Sequence, residues 1–366
     1  MQIYHFFQHP SQPYICVQQD AQEAEAEFIW VDCTREDVVN RSEHWQQEIF
    51  QHTGLWLNEY HVRDILNLEH PCVFDTLDDY DLLIFRKLIT PDDHVKTGEQ
   101  ALEQHEPVFG LATTPVSFIM TPQVLITVRE QGNKAMENYI ARIKTVLARP
   151  LDEQNRPRKL AASPLDLALR LLNGMVDGYL DLRRTLTRQI DHWQIALLKP
   201  NKRFSNWASV LDVRLALHQL DEICEDQRSA VQDWIDALET WAPPDTPAGL
   251  RELDLLKVRS RDVLEHIERV VHHVRRLEQS TETAVQMHFS VQSNRTNDIM
   301  RTLTALTAVF LPLNLIAGIF GMNFDFIPLI HKQDGFWWAT GAMSVIAVAL
   351  VLLFWRKRYL ARTSTR

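Results

Sequence analysis

From Thr302 to Phe324 the chain runs 23 residues without a charged side chain, and from Gly335 to Trp355 it runs another 21. At ~1.5 Å of helical rise per residue, either stretch crosses a hydrocarbon layer of roughly 30 Å. Only ten residues separate them, and two core helices of a soluble domain this apolar and this close in sequence are rare, so they read as two membrane spans joined by a short loop. The fold class this predicts is an α+β membrane protein with a large N-terminal soluble part.

Charge sets the orientation. The formal net charge is −10, but from residue 302 onward six Lys/Arg stand against two acids, which makes that segment +4 and residues 1–301 −14. The tail after Trp355 holds five Lys/Arg in eleven residues, and Arg295 and Arg301 precede the first span. Basic residues stay on the cytosolic side, so both termini are expected there, with loop 325–334 outside. The start, Met1-Gln2-Ile3-Tyr4-His5, offers no signal peptide, and the N-x-S/T triplets at Asn40 and Asn294 fall on the cytosolic side, without glycosylation meaning. An acidic domain argues against nucleic-acid binding. Cys16, Cys33, Cys72 and Cys224 form no C-x-x-C pair and are read as reduced thiols.

The soluble part breaks at Trp241-Ala242-Pro243-Pro244-Asp245-Thr246-Pro247, a run no helix interior tolerates. Before it, Phe28-Ile29-Trp30-Val31, Leu82-Leu83-Ile84-Phe85, residues 116–120 and residues 124–128 read as strands, with Thr121-Pro122-Gln123 as a hairpin turn. Apolar spacing of three and four predicts helices over 42–51, 132–148, 164–198 and 207–238. That is an α/β domain followed by a helical hairpin. Nucleotide-loop and hydrolase signatures are missing, and nothing in the chain composes a catalytic constellation, so an enzyme is not expected.

Residues 250–311 contain neither Gly nor Pro. Leu253, Leu256, Ser260, Val263, Ile267, Val270, Val274, Leu277, Thr281, Ala284, His288 and Val291 alternate in steps of three and four, a coiled-coil-type seam on one long helix that continues into the first span. Slightly out of register, Asn297, Met300 or Arg301, Thr304, Thr307, Leu311, Asn314 and Gly318 form a polar or small stripe through the span. Exposing it to lipid leaves polar groups without partners. Two spans cannot enclose a water-filled path, so the stripe is expected to face copies of itself in a closed homo-oligomer whose first span lines the centre; a helix dimer held by polar contacts is the other arrangement that satisfies it.

The run from Ser293-Asn294-Arg295-Thr296-Asn297 through Leu311-Pro312-Leu313 to Ile316-Ala317-Gly318-Ile319-Phe320-Gly321-Met322-Asn323-Phe324 resembles the CorA family of magnesium channels. The likeness is strong over about residues 250–360 and weaker in the N-domain, through Asp64-Ile65-Leu66-Asn67, residues 80–88 and residues 113–130.

The resemblance implies a homopentamer in the lipid of a bacterial-type inner membrane, with an α/β/α cytosolic domain (1–245), a stalk helix (246–301), a pore-lining first span (302–324), an external loop (325–334), a second span (335–355) and a basic tail (356–366). It implies Mg²⁺ influx, often with Co²⁺ or Ni²⁺, through an outer mouth made by Gly321, Met322, Asn323 and Asp325. Neutral amide oxygens suit this cargo, because Mg²⁺ dehydrates reluctantly and is held through its first-shell waters. Asn297, Met300, Thr304, Leu311, Asn314 and Gly318 correspond to pore-facing positions, with Leu311 and Met300 as an apolar constriction and Pro312 as a kink beside it. Regulatory Mg²⁺ is implied at Asp262, in Arg261-Asp262-Val263-Leu264-Glu265-His266, with Asp92 or Asp93 as its partner.

Some positions depart from the family pattern. Asn314 stands where Thr is common, Ile327-Pro328-Leu329-Ile330 lacks a second loop acid, and Gln286 stands where some relatives carry an acid ring. A zinc importer of the related ZntB branch is the alternative, against which the intact Met322 argues; a nonconducting membrane-anchored scaffold is a third reading. The pair His272-His273 is expected to be two solvated imidazoles.

Overall fold

A computed structural model describes residues 1–8, 15–19, 26–40, 42–89, 111–148, 160–198, 207–322 and 334–357. Seven strands form one sheet: β1 (Gln2–Gln8), β2 (Ile15–Gln19), β3 (Phe28–Thr34), β4 (Val73–Thr76), β5 (Asp81–Leu88), β6 (Thr113–Met120) and β7 (Val124–Arg129). Their order is β2-β1-β3-β7-β6-β5-β4, antiparallel except for the parallel pair β3–β7. The β6–β7 turn closes with the Thr121 N–H donating to the Val124 carbonyl, 2.9 Å.

The central strands read as continuous apolar runs because both faces of the sheet are buried. Leu82 and Ile84 of β5 point into one core with Trp45 and Ile49 of α2 (Ser42–Thr53) and Val62 and Ile65 of α3 (Glu59–Leu66); α1 (Arg35–Asn40) adds Val38 to it. Leu83 and Phe85 point into the other core, with α4 (Lys134–Ala148), α5 (Pro164–Leu198), α6 (Trp207–Thr240) and the first half of α7 (Pro247–Phe320). The result is the α/β/α layering expected, with β1, β2, β4, α1 and α3 added to the elements read from sequence. At the parallel pair a buried ion pair closes the sheet: Arg129 Nη2 lies 2.8 Å from Asp32 Oδ2, and Thr127 Oγ1 donates to Asp32 at 2.9 Å.

Two compact units result, the first comprising Met1–Ala196 with Arg203–Glu282, the second built on Thr283–Arg366. Within the first, α7 is clamped by the α5–α6 hairpin. Contacts from α5 climb with α7 (Asn173 with His266, Thr187 with His273, Gln194 with Ser280). Contacts from α6 run the other way (Arg214 with Glu282, Asp221 with Arg275). The seam is therefore filled from within the chain: every member from Leu253 to Ala284 is buried. Its polar members satisfy themselves, Ser260 and Thr281 donating to the Leu256 and Leu277 carbonyls at 2.9 and 2.8 Å.

Beyond Ala284 the seam is no longer buried within the chain. His288 is only half-buried and Val291 is exposed. From Gln286 to Thr304 every residue but His288 is exposed. The histidine pair also divides: His272 is exposed, whereas His273 is half-buried with Nε2 2.8 Å from Thr187 Oγ1. Burial first, and then the cations of Arg183 and Arg276, hold the His273 imidazole below its usual range.

Candidate ion pathway

Among the described residues two helices are long and apolar enough to span a membrane, and both spans lie in the second unit: the end of α7 and α8 (Gly335–Arg356), each with an 18-residue window of mean hydropathy 2.0. At about 100° per residue, Asn297, Met300, Thr304, Thr307, Leu311, Asn314 and Gly318 share a sector of roughly 100° on α7, and all are exposed, Met300 at 60% and Leu311 at 68%. The less exposed residues, Ala305, Ala308, Val309, Pro312, Leu313, Ile316 and Phe320, lie on a different face, centred roughly 140° away. Helix α8 has a matching half-buried stripe at Met343, Ala347, Leu350 and Phe354. The polar stripe is thus left outward, as are the large apolar side chains Leu303, Leu306, Phe310 and Leu315 on other faces. Pro312, whose missing N–H frees the Ala308 carbonyl, belongs to the apolar face, beside the stripe and not on it.

Hydroxyl geometry decides what the stripe offers. Thr304 Oγ1 donates to the Met300 carbonyl at 2.8 Å, and Thr307 Oγ1 to the Leu303 carbonyl at 2.9 Å. With those protons committed to the helix, only oxygen lone pairs face outward. First-shell water on a cation points its hydrogens away from the ion, so acceptor oxygens suit a hydrated cation. Asn297 and Asn314 add amide oxygens on the same face.

The helix ends tightly. The Gly321 N–H donates to the Ala317 carbonyl at 3.0 Å, and the Met322 N–H to the Ile319 carbonyl at 3.3 Å. A Cβ on Gly321 would stand 3.2 Å from the Ala317 oxygen, whereas one on Gly318 would meet nothing within 4 Å. A side chain at Gly321 would thus crowd the turn by a few tenths of an ångström, whereas Gly318 leaves open space on the stripe. Asn323 and Asp325 lie outside the described residues.

In the first unit, Asp262 sits on the exposed side of α7 with its side chain 57% exposed and Oδ1 3.8 Å from His266 Nε2. His266 Nδ1 is 3.2 Å from Asn173 Oδ1, which holds the ring. Arg261 Nη2 donates to Glu239 at 3.1 Å and Arg269 Nη2 to Glu265 at 2.6 Å, and the latter bond keeps the Glu265 carboxyl below the ordinary carboxylate range. His266 was not singled out in the sequence, although the Asp-x-x-x-His spacing places it one turn from Asp262. Among the described residues no group of three or more His, Cys, Asp or Glu is disposed to hold a metal ion; Asp92 and Asp93 lie outside those residues.

Three of the four cysteines are closed to metal ligation. Cys33, Cys72 and Cys224 are unpaired and buried; burial pushes the Cys33 and Cys72 thiols up to about 12 and Cys224 further still.

The family profile described as "CorA-like Mg2+ transporter protein" matches residues 25–358. Among curated proteins, the chain is 25% identical over 303 residues to the cobalt/magnesium transport protein CorA of Thermotoga maritima, covering 82% of this chain and 76% of that one. It is 27% identical to the putative metal ion transporter YfjQ of Bacillus subtilis, over 55% of this chain and 60% of that protein. Among solved structures, the complete CorA magnesium transporter of Methanocaldococcus jannaschii shares the fold at TM-score 0.64 and 17% identity, covering 97% of this chain and 98% of that one. The full-length CmaX protein does so at TM-score 0.57 and 15% identity, over 98% and 97% of the two chains. With the family profile spanning nearly the whole chain and the fold shared from end to end, this chain belongs to the CorA family, whose members are transporters and not enzymes.

Proposed function

We propose that the chain forms a homo-oligomeric, most simply pentameric, channel in an inner membrane that passes Mg²⁺, and with it Co²⁺ or Ni²⁺, toward the cytosol. The observation that carries this reading is the exposed polar stripe from Asn297 to Gly318 on an otherwise apolar helix. Lipid gives such a stripe no partners, while copies of the same chain around an axis give it a shared aqueous lumen. Hydrated Mg²⁺ meets acceptor oxygens at Asn314, Thr307, Thr304 and Asn297, with Gly318 widening the upper end and Leu311 and Met300 narrowing the path where removal of water stops an ion. Asn323, with Asp325, supplies the outer ring beyond Gly321 and Met322. Inward movement of a divalent cation gains roughly 4.6 kcal/mol per 100 mV of inside-negative potential. Asp262, one turn from His266, is the described residue offered to regulatory cytosolic Mg²⁺, with Asp92 or Asp93 as its partner. Both termini are cytosolic in this arrangement, and the basic tail faces the anionic leaflet.

Thr302 and Thr304 provide a matched test. Both hydroxyls are bonded back to their own helix, to the Asp298 and Met300 carbonyls, but they lie on opposite sides of α7, about 160° apart. In proteoliposomes under an inside-negative potential, Thr304→Val and Asn323→Ala should each cut Mg²⁺ entry severalfold, and Thr302→Val should leave it unchanged. Equal effects of the two threonine substitutions would refute the pathway. Zn²⁺ entry without Mg²⁺ entry would assign the chain to zinc import instead, and no flux in wild type would leave a scaffold.

A further inference from the structure

One turn of α7 presents an oxygen donor and a nitrogen donor that the ion pathway does not use. Asp262 and His266 are four residues apart, so their side chains stand one above the other on the helix, and Asp262 Oδ1 lies 3.8 Å from His266 Nε2. That is too long for a hydrogen bond. It matches two donors that share one ion, because metal bonds of about 2.1 Å hold neighbouring donors about 3.0–3.8 Å apart. The Asp262 carboxylate is 57% exposed, open to water and ions. The arginines of this part of the helix are committed to other carboxylates, Arg259 to Asp166, Arg261 to Glu239 and Arg269 to Glu265.

A second helix aims the ring. The His266 side chain is 19% exposed, and its Nδ1 lies 3.2 Å from Asn173 Oδ1 of α5. An amide oxygen only accepts, so Nδ1 carries the ring proton, and the neutral imidazole turns its Nε2 lone pair toward Asp262. Metal-binding histidines are oriented in this way, through the ring nitrogen that the metal does not take. Two other histidines of α7 differ: His273 Nε2 is met by Thr187 Oγ1 at 2.8 Å, and His272 is exposed. A carboxylate alone suits Mg²⁺, which takes oxygen ligands and keeps several of its waters. An added imidazole favours borderline cations such as Ni²⁺ and Co²⁺, which bind nitrogen well.

We propose that Asp262 and His266 together bind a borderline transition-metal dication, Ni²⁺ or Co²⁺, with water completing its coordination, so that the regulatory site on α7 answers to these cations ahead of Mg²⁺. His266 then sets the metal preference, and Asn173 is its positioning residue. The proposal deepens the reading of Asp262 as a regulatory metal ligand and rests on it. It does not depend on which ion the polar stripe carries.

The test is equilibrium dialysis of the full-length protein in detergent against micromolar Ni²⁺, alone and with about a hundredfold excess of Mg²⁺, and against Mg²⁺ alone. In both Ni²⁺ buffers wild type should hold about one Ni²⁺ per chain more than His266→Gln or Asp262→Asn. Asn173→Ala should weaken that Ni²⁺ about tenfold or more, because the ring is released, and His272→Gln should leave it unchanged. Asp262 is exposed, so Asp262→Asn keeps the test valid if His266→Gln unfolds. Equal Ni²⁺ in wild type and the folded variants, displacement by the Mg²⁺ excess, wild-type affinity in Asn173→Ala, or an equal loss on His272→Gln overturns the proposal. The Mg²⁺ buffer separates the two claims. Loss of Mg²⁺ in Asp262→Asn with Ni²⁺ unchanged refutes the proposal and keeps the regulatory reading, whereas no change in either metal refutes both.

Discussion

Replacing Asp166 should be among the more damaging single changes to the first compact unit. Its carboxylate is 5% exposed and accepts from the Ala162 N–H at 3.0 Å and from Arg170 Nε at 3.2 Å, and it pairs with Arg259 of α7. One buried anion thus neutralises cations on two helices. Removing one partner of a buried pair costs about 3–5 kcal/mol when the other is left dry, but Arg259 is 38% exposed and regains water, which discounts its share. Asp166→Ala is therefore expected to cost about 2–3 kcal/mol. Arg259→Ala leaves Asp166 with Arg170 and the Ala162 N–H, and should cost only about 1 kcal/mol. Thermal unfolding of the full-length protein in detergent, followed by tryptophan fluorescence, should show drops of about 3–5 °C and about 2 °C respectively. Equal losses for the two variants, or a loss under about 2 °C for Asp166→Ala, would refute the asymmetry.

Ile267, 1% exposed at the centre of the α7 seam, should lose about 2–4 kcal/mol on replacement by Ala in the same assay. The depressed His273 pKa means the unfolded chain takes up its proton first as pH falls. The stability this contributes is full above the usual 6.5 and is lost as pH falls through the lower folded value. His273→Gln should accordingly flatten the fall in melting temperature between about pH 7.5 and 5.5. Iodoacetamide at neutral pH should leave Cys33, Cys72 and Cys224 unmodified in the native protein and label them after denaturation, as peptide mapping would show, because a thiol with its pKa pushed this high holds almost no thiolate.

What could be read from the sequence follows from how each element is stabilised. The strands around Ile84, Phe118 and Ile126 were legible because both faces are buried and their runs are continuously apolar. The 4-residue β4, with Asp75 and Thr76 at its end, was not. Nor was β1, which pairs its Phe6 across a gap to Phe28. The α7 seam was visible in its spacing, but spacing does not name a partner: the pattern of a coiled coil is here met by α5 and α6 of the same chain. The polar stripe was plain, since Asn314 and Thr304 stand out in an apolar helix. The Asp32–Arg129 pair, 97 residues apart in sequence, and the Asp166 node leave no local signal, because each depends on the finished sheet or helix packing.

The exposed stretch of α7 from Gln286 to Thr304 has a further consequence. It amounts to about five turns exposed at every residue but His288, and helical turns that bury no face draw little stability from propensity alone. In the homo-oligomer proposed above, neighbouring copies would cover these turns, so their stability would obey mass action and would not be a constant of the folded chain. Dilution would then act on this stretch as heat or denaturant does, and in the proposed oligomer Asn297 and Met300 would hold their places only at concentrations where the copies stay together.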